Sequence, residues 1–253
     1  MDELNYIQIL ILSVLQALTE FLPISSSAHL LLPSKILGWA DQGIFFDISV
    51  HFASLAAVII YLREDVLKLS FLNSRLFFML CLATIPIVVI APIIASYEPR
   101  WTIFTIAISN ILFALLLYAS TLIGSQAKQI REMSSNEAFL IGIWQVFSII
   151  SGASRSGTAI TGALFLGFSR EEAARFAILL SIPTILGALV FSFGKNAILT
   201  TDVNILATFI AFLTTFIISY FTIDWFIKFV RKVGFGIFIV YRLCLGVLLL
   251  CLM

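Results

Sequence analysis

The chain has 253 residues, 61% of them hydrophobic and only 11% charged, and a mean hydropathy of +1.10. That composition excludes a water-soluble surface, so the solvent of this protein is largely lipid. A net charge of +1 and a pI near 7.7 exclude a global pull toward nucleic acid, and any preference for an anion has to come from local residues.

The chain opens MDELNY, with two acids where a secretory signal would carry positive charge. The apolar stretch that follows leads into a charged motif, so it is expected to be retained. That stretch, 6–22, runs into Pro23 and a serine cluster, then resumes as an apolar segment over 28–37. Spans of about the length needed to cross a bilayer are predicted at 44–62, 76–96 and 101–123. A second interrupted stretch, 139–150, runs into SGASRSG and resumes over 158–168. Further spans are predicted at 176–193, 205–223 and 235–252. Breaks at membrane depth leave backbone groups without partners unless protein or a wet cavity surrounds them, so both interrupted stretches read as internal re-entrant hairpins. Cys81, Cys244 and Cys251 sit in apolar runs without metal-ligand spacing and read as packing residues.

The two broken stretches echo each other: SVLQALT (13–19) and GIWQVFS (142–148) align a small residue, a glutamine and a hydroxyl in register. A second echo pairs RLFFMLCLATIP (75–86) with RFAILLSIP (175–183) and leaves the helix at 44–62 as an extra in the first half. The chain therefore reads as one domain, 1–253, built from repeats of approximately 1–123 and 124–253. Arg63, Lys68 and Arg75 share one loop, Lys128 and Arg131 another, and Lys228, Arg231 and Lys232 a third. These loops read as cytoplasmic, and those holding Arg100 and Lys195 as external. Counting back puts the first hairpin outside and the second inside, so the repeats are inverted and their breaks meet near the midplane. The predicted fold class is all-α: a polytopic membrane protein with about six transmembrane helices and two re-entrant hairpins in inverted-topology repeats.

The chemistry-bearing residues lie at the breaks. In QALTEFLPISSSAHL, Gln16 and Glu20 stand four apart on one helix face that ends at Pro23. A carboxylate at this depth needs a cation, a metal or several donors. Ser25 or Ser26 is a natural N-cap for the next half-helix, and His29 follows one turn later. A plainer reading has the serines merely capping a helix while Glu20 and His29 bond each other. In SGASRSG, Arg155 lies between Ser154 and Ser156, with Gly152 and Gly157 for backbone freedom, a combination suited to cradling a phosphate. The plainer alternative pairs Arg155 with Glu20 to hold the hairpins together. Asp224 and Lys228 read as a structural pair. Asp47 and His51 either line the cavity or bond each other, and Arg242 is either a second phosphate contact or an interhelical pin.

At these residues the sequence resembles the undecaprenyl-pyrophosphate phosphatase family often called the bacitracin-resistance type, over nearly the whole chain. QALTE followed by FLPISSSAH, the later SGASRSG, and the pair Tyr241 and Arg242 carry the resemblance. The family motif of Glu or Gln, three residues, then Glu falls on Gln16 and Glu20, and Ser25, Ser26 and His29 match its serine and histidine positions. The resemblance implies a multi-pass phosphatase of the bacterial plasma (inner) membrane, its site open to the external or periplasmic side. It would be assisted by magnesium or calcium and would remove the terminal phosphate of undecaprenyl pyrophosphate. That reaction recycles the lipid carrier for cell-wall synthesis and confers bacitracin resistance. The second motif departs from the pattern PGxSRSGxT: Ser151 stands where proline is usual and Ala159 where threonine is usual, with Thr158 one place early. That shift turns a helical side chain by roughly 100 degrees.

On this reading Glu20 ligates the metal or takes a proton, Arg155 neutralises the pyrophosphate, and Ser26, His29 or a water attacks. Gln16, Ser25, Ser154, Ser156, Gly157, Thr158 and Arg242 are the candidate substrate contacts. The partners are the polyisoprenyl lipid and the bilayer, with no nucleic acid, and a homodimer is left open. The rival class is a secondary transporter or lipid flippase, which uses the same inverted-repeat architecture but needs no nucleophile. A purely structural scaffold leaves Glu20, His29 and Arg155 unexplained.

Overall fold

The computed structural model describes residues 4–66, 74–97, 101–123, 125–194 and 204–253. Lys68, Arg100 and Lys195, used above for topology, lie outside the described residues.

Most of the helices start where the sequence supplies an acceptor for free backbone amides. In α1 (Tyr6–Thr19), Asn5 and Gln8 form a reciprocal capping box. Ser25 caps α2 (Ser26–Leu37), which stops at Gly38 in the left-handed region, φ 66°. Next come α3 (Gly43–Tyr61), α4 (Arg75–Ser96), capped by Ser74, and α5 (Ile103–Ile123). Ser134 and Glu137 box the start of α6 (Ser135–Val146), and Ser154 caps α7 (Arg155–Phe165). The chain continues as α8 (Arg170–Gly194), α9 (Ile205–Lys232), capped by Asn204, and α10 (Gly236–Cys251).

Five of these helices, α3, α4, α5, α8 and α9, are long and apolar enough to cross a membrane. The predicted span at 235–252 forms α10, which at 16 residues is shorter than the others. The broken stretches behave differently. With 14 and 12 residues, α1 and α6 rise only about 21 and 18 Å, well short of a hydrocarbon core of roughly 30 Å. Each turns back through its break into a second short helix, α2 and α7. Five principal helices precede residue 124 and five follow it, so among the described residues the first half has no extra helix.

Packing crosses between the halves: α1 lies against α9, α6 against α4, α3 against both α8 and α9, and α5 against α10. Small residues make these approaches close, with Ala53, Ala57, Ala83, Ala107 and Ala211 fully buried. Gly142 shows the tolerance, since a Cβ there would sit 2.4 Å from Ala83 O. The outer faces carry Val89, Phe104, Leu112, Ile217 and Phe221 exposed, an apolar surface matched to acyl chains. Cys81, Cys244 and Cys251 also face outward, which corrects their reading as packing residues: in a lipid-solvated protein an apolar run contains outward positions as well as buried ones.

Candidate active site between two broken helices

Glu20 ends α1, its amide bonded to Gln16 O, and its carboxylate is held on both oxygens. Oε1 accepts from Arg155 Nη2 at 2.8 Å. Oε2 accepts from Gln16 Nε2 at 3.0 Å and from Ser26 Oγ at 2.8 Å, and His51 Nε2 lies 3.8 Å away. Arg155 opens α7 from the other break and is braced by a second bond, Nη1 to Ala177 O on α8 at 2.9 Å. The Glu20 and Arg155 pair of the plainer reading therefore exists, and those two bonds use two of the five N–H groups of the guanidinium.

The two breaks are bonded to each other through serine hydroxyls and backbone groups. Gly152 N donates to Ser25 Oγ at 3.2 Å, and Ser156 Oγ donates to Leu22 O at 2.8 Å. Gly152 has φ 98°, and a Cβ there would meet Ser109 Oγ at 2.0 Å and Ile106 O at 2.8 Å, so the second break lies directly on α5. Arg242, fully buried on α10, donates to Pro23 O at 3.3 Å, Gly152 O at 2.8 Å and Ala153 O at 3.0 Å. This is the pin of the two alternatives for Arg242, since all three acceptors are backbone carbonyls of the breaks.

Ser25 and Ser154 share an unusual conformation, φ 74° and 73°, and each caps its half-helix, accepting from Ala28 N and Gly157 N. A non-glycine residue there is strained by about 1–3 kcal/mol, a pattern found where backbone geometry serves a site. Ser154 Oγ also lies 3.2 Å from Ser156 Oγ. Thr158 is fully buried and donates to Arg155 O at 3.0 Å, so its hydroxyl hydrogen is engaged within its own helix. Ser26, by contrast, is half-buried and directs its hydroxyl hydrogen at Glu20.

His29 does not bond Glu20. Its Nδ1 lies 2.7 Å from Ser25 O and its Nε2 lies 2.6 Å from Tyr241 Oη. Nor do Asp47 and His51 pair through their side chains: Asp47 accepts from Gln42, and His51 Nδ1 donates to Asp47 O. Sequence reasoning missed three contributors: the Ala177 carbonyl, the Tyr241 contact, and Ser109 and Asn110 behind Gly152. The last pair had a signal, two polar residues inside a predicted span. A cleft of about 450 Å³ lined by Arg75, Arg131, Glu172 and Arg175 is separate from these residues.

Among the described residues no three His, Cys, Asp or Glu side chains gather as a closed metal site requires. Gln16 Oε1, however, is buried without a partner beside the Glu20 carboxylate. With Ser26 Oγ these are hard oxygen donors, which suit a magnesium or calcium ion shared with substrate phosphates better than one caged by protein.

The family model described as "Bacitracin resistance protein BacA" matches residues 9–248. The chain belongs to this family. Among curated BacA-like relatives, a protein named undecaprenyl-diphosphatase from Alcanivorax borkumensis is 41% identical over 98% of both chains. Relatives of the same name from Aliivibrio salmonicida and Teredinibacter turnerae are 39% and 38% identical, covering 98% and 97% of this chain and 98% of each relative. The BacA family match spans both broken hairpins and the α10 pin, so it covers every residue of the site.

Proposed function

We propose that this site hydrolyses undecaprenyl pyrophosphate to undecaprenyl phosphate and inorganic phosphate, recycling a lipid carrier for cell-wall synthesis and so conferring bacitracin resistance. The observation that carries the reading is the Ser26 hydroxyl 2.8 Å from one oxygen of Glu20 while Arg155 grips the other at 2.8 Å, between two half-helix starts. A hydroxyl, a base and a guanidinium on opposed helix N-termini are what attack on a phosphorus under dispersed negative charge requires.

Ser26 Oγ attacks the terminal phosphorus, its proton passes to Glu20, and the bond from that phosphorus to the bridging oxygen breaks, releasing undecaprenyl phosphate. A water then attacks the phosphoserine, inorganic phosphate leaves, and Ser26 regains a proton. Arg155 stabilises the equatorial oxygens with its remaining N–H groups, and the half-helices that start after Ser25 and Ser154 bring their positive dipole ends to the same charge. Of the three attackers the sequence left open, Ser26 is the one whose hydroxyl already bonds the Glu20 base. A magnesium or calcium ion would be held by Glu20 and Gln16 Oε1 and would neutralise part of the pyrophosphate charge. The polyprenyl tail stays in the bilayer, and one copy of the chain supplies every group named, so no homodimer is required.

The inverted repeat supports this placement. Exchanging α1 with α6, α3 with α8, α4 with α9 and α5 with α10 turns the α1–α9 contact into α6–α4 and maps α3–α8 and α5–α10 onto themselves. That correspondence differs from the echo of 75–86 with 175–183, which would have matched α4 to α8. On this reading the two breaks lie at one depth in the inner membrane, with the site open to the external side.

Phosphate release by the purified chain from undecaprenyl pyrophosphate, with and without a chelator, tests the reading. Release that depends on a divalent cation and vanishes in Glu20→Ala and Arg155→Ala is expected. Binding of the lipid without any release would instead favour a transporter or flippase.

A further inference from the structure

Tyr241 stands next to the pin Arg242 on α10 but faces a different partner. Its hydroxyl lies 2.6 Å from His29 Nε2, and the rings stack with centroids 5.7 Å apart and planes 15° from parallel. The other ring nitrogen, Nδ1, is 2.7 Å from Ser25 O. A carbonyl can only accept, so Nδ1 carries the hydrogen; in the neutral ring Nε2 is then an acceptor, and Tyr241 donates to it. His29 is 7% exposed and Tyr241 is 42% exposed, so the tyrosine is the more open partner of the pair. The bonds of Arg242 to Pro23 O and Gly152 O fix the α10 backbone under Tyr241 against both breaks.

We infer that Tyr241 is a positioning residue for His29, its hydroxyl occupying the Nε2 lone pair until the pyrophosphate head group of the lipid draws that hydroxyl away. A phosphate oxyanion is a stronger acceptor than a neutral imidazole, so a head group entering beside Ser26 offers the phenol a charge-assisted bond in exchange. The freed Nε2 is then a basic nitrogen with an open lone pair, while Ser25 O holds Nδ1 and so the orientation of the ring. The inference rests on the site being a pyrophosphate site and adds to it a coupling between head-group arrival and the state of His29.

The chain contains two histidines, so His51→Gln leaves His29 as the only one when purification uses a tag without histidine. In that background, acylation of His29 by diethyl pyrocarbonate, read by peptide mass, reports whether Nε2 is covered. Tyr241→Phe is expected to label roughly tenfold faster than its parent, the factor that one hydrogen bond of ordinary net strength confers. A non-hydrolysable methylene-bridged polyprenyl analogue is expected to speed labelling in the parent but not in Tyr241→Phe. Equal labelling in the two proteins would overturn the inference. A second measurement needs no change at Tyr241: the ¹⁵N spectrum of the His51→Gln chain should show Nδ1 protonated and Nε2 as acceptor, and the opposite tautomer would also overturn it. Labelling does not depend on turnover. A response to Tyr241→Phe with no phosphate release by the unaltered chain would therefore remove the phosphatase reading and leave Tyr241 in its role.

Discussion

At residues 23–29 and 152–157 the chain makes nearly the same turn twice, with a serine at φ 74° in one and 73° in the other, each capping a short helix that starts inside the bundle. Beyond the serines, the side chains set on those turns differ. The first break brings a carboxylate, a half-buried hydroxyl bonded to it and an imidazole; the second brings a guanidinium and two buried hydroxyls, with its carbonyls held by Arg242. A shared backbone thus brings two half-helix starts together, and on the proposed mechanism the reactive groups lie on one side and the charge-stabilising guanidinium on the other. The division also solves a solvation problem. Neither Glu20 nor Arg155 has a counter-charge on its own hairpin among the described contacts, so each neutralises the other across the interface.

The division is broken most severely on the charge-stabilising side. Arg155→Ala is expected to lower phosphate release by about 10³–10⁵-fold, the range for an arginine that stabilises a phosphoryl transition state. Arg155→Lys should recover little, because an ammonium cannot hold Glu20 Oε1, Ala177 O and a phosphate together. On the reactive side, Glu20→Gln keeps the shape but removes the base, and a fall of about 10²–10⁴-fold in turnover is expected. Full turnover in Glu20→Gln would move the base elsewhere and end the assignment of chemistry to the first break.

Both sides of this division were readable from residues alone, because a charge inside an apolar run has few innocent explanations. Glu20 and Arg155 stood out for that reason, and the interruptions at Pro23 and SGASRSG marked the half-helices. Partner choice was not readable. His29 bonds a tyrosine 212 positions away on α10 and Glu20 lies near His51 on α3, contacts set by how the first hairpin packs against other helices of both halves. Local spacing offered Glu20 with His29 and Asp47 with His51 as alternatives among others, and neither side-chain pair forms: His29 turns to Tyr241, and His51 bonds the backbone carbonyl of Asp47. The same limit applied to Arg242, whose depth was evident while its three acceptors were not, since backbone carbonyls leave no mark in a sequence.

Arg242 tests whether the two breaks are one unit. Arg242→Met preserves volume and apolar contact but strands the carbonyls of Pro23, Gly152 and Ala153, each at about 1–3 kcal/mol when left unsatisfied. Thermal unfolding in detergent should show a loss of about 3 kcal/mol or more, with activity falling alongside. Unchanged stability would mean that the breaks hold their conformations independently.

The smallest expected effect separates strain from capping. Ser154→Ala keeps the positive φ and loses the acceptor for Gly157 N, for which a loss of about 1 kcal/mol is usual. Ser154→Gly loses the same acceptor but relieves the conformation, so only a few tenths of a kcal/mol should be lost. The equivalent change at Ser25 should cost more in both versions, because its Oγ also accepts from Gly152 N across the interface. If Ser25→Gly proved as mild as Ser154→Gly in unfolding measurements, the cross-break bond would carry no stability, and the two turns would be alike in energy as well as in shape.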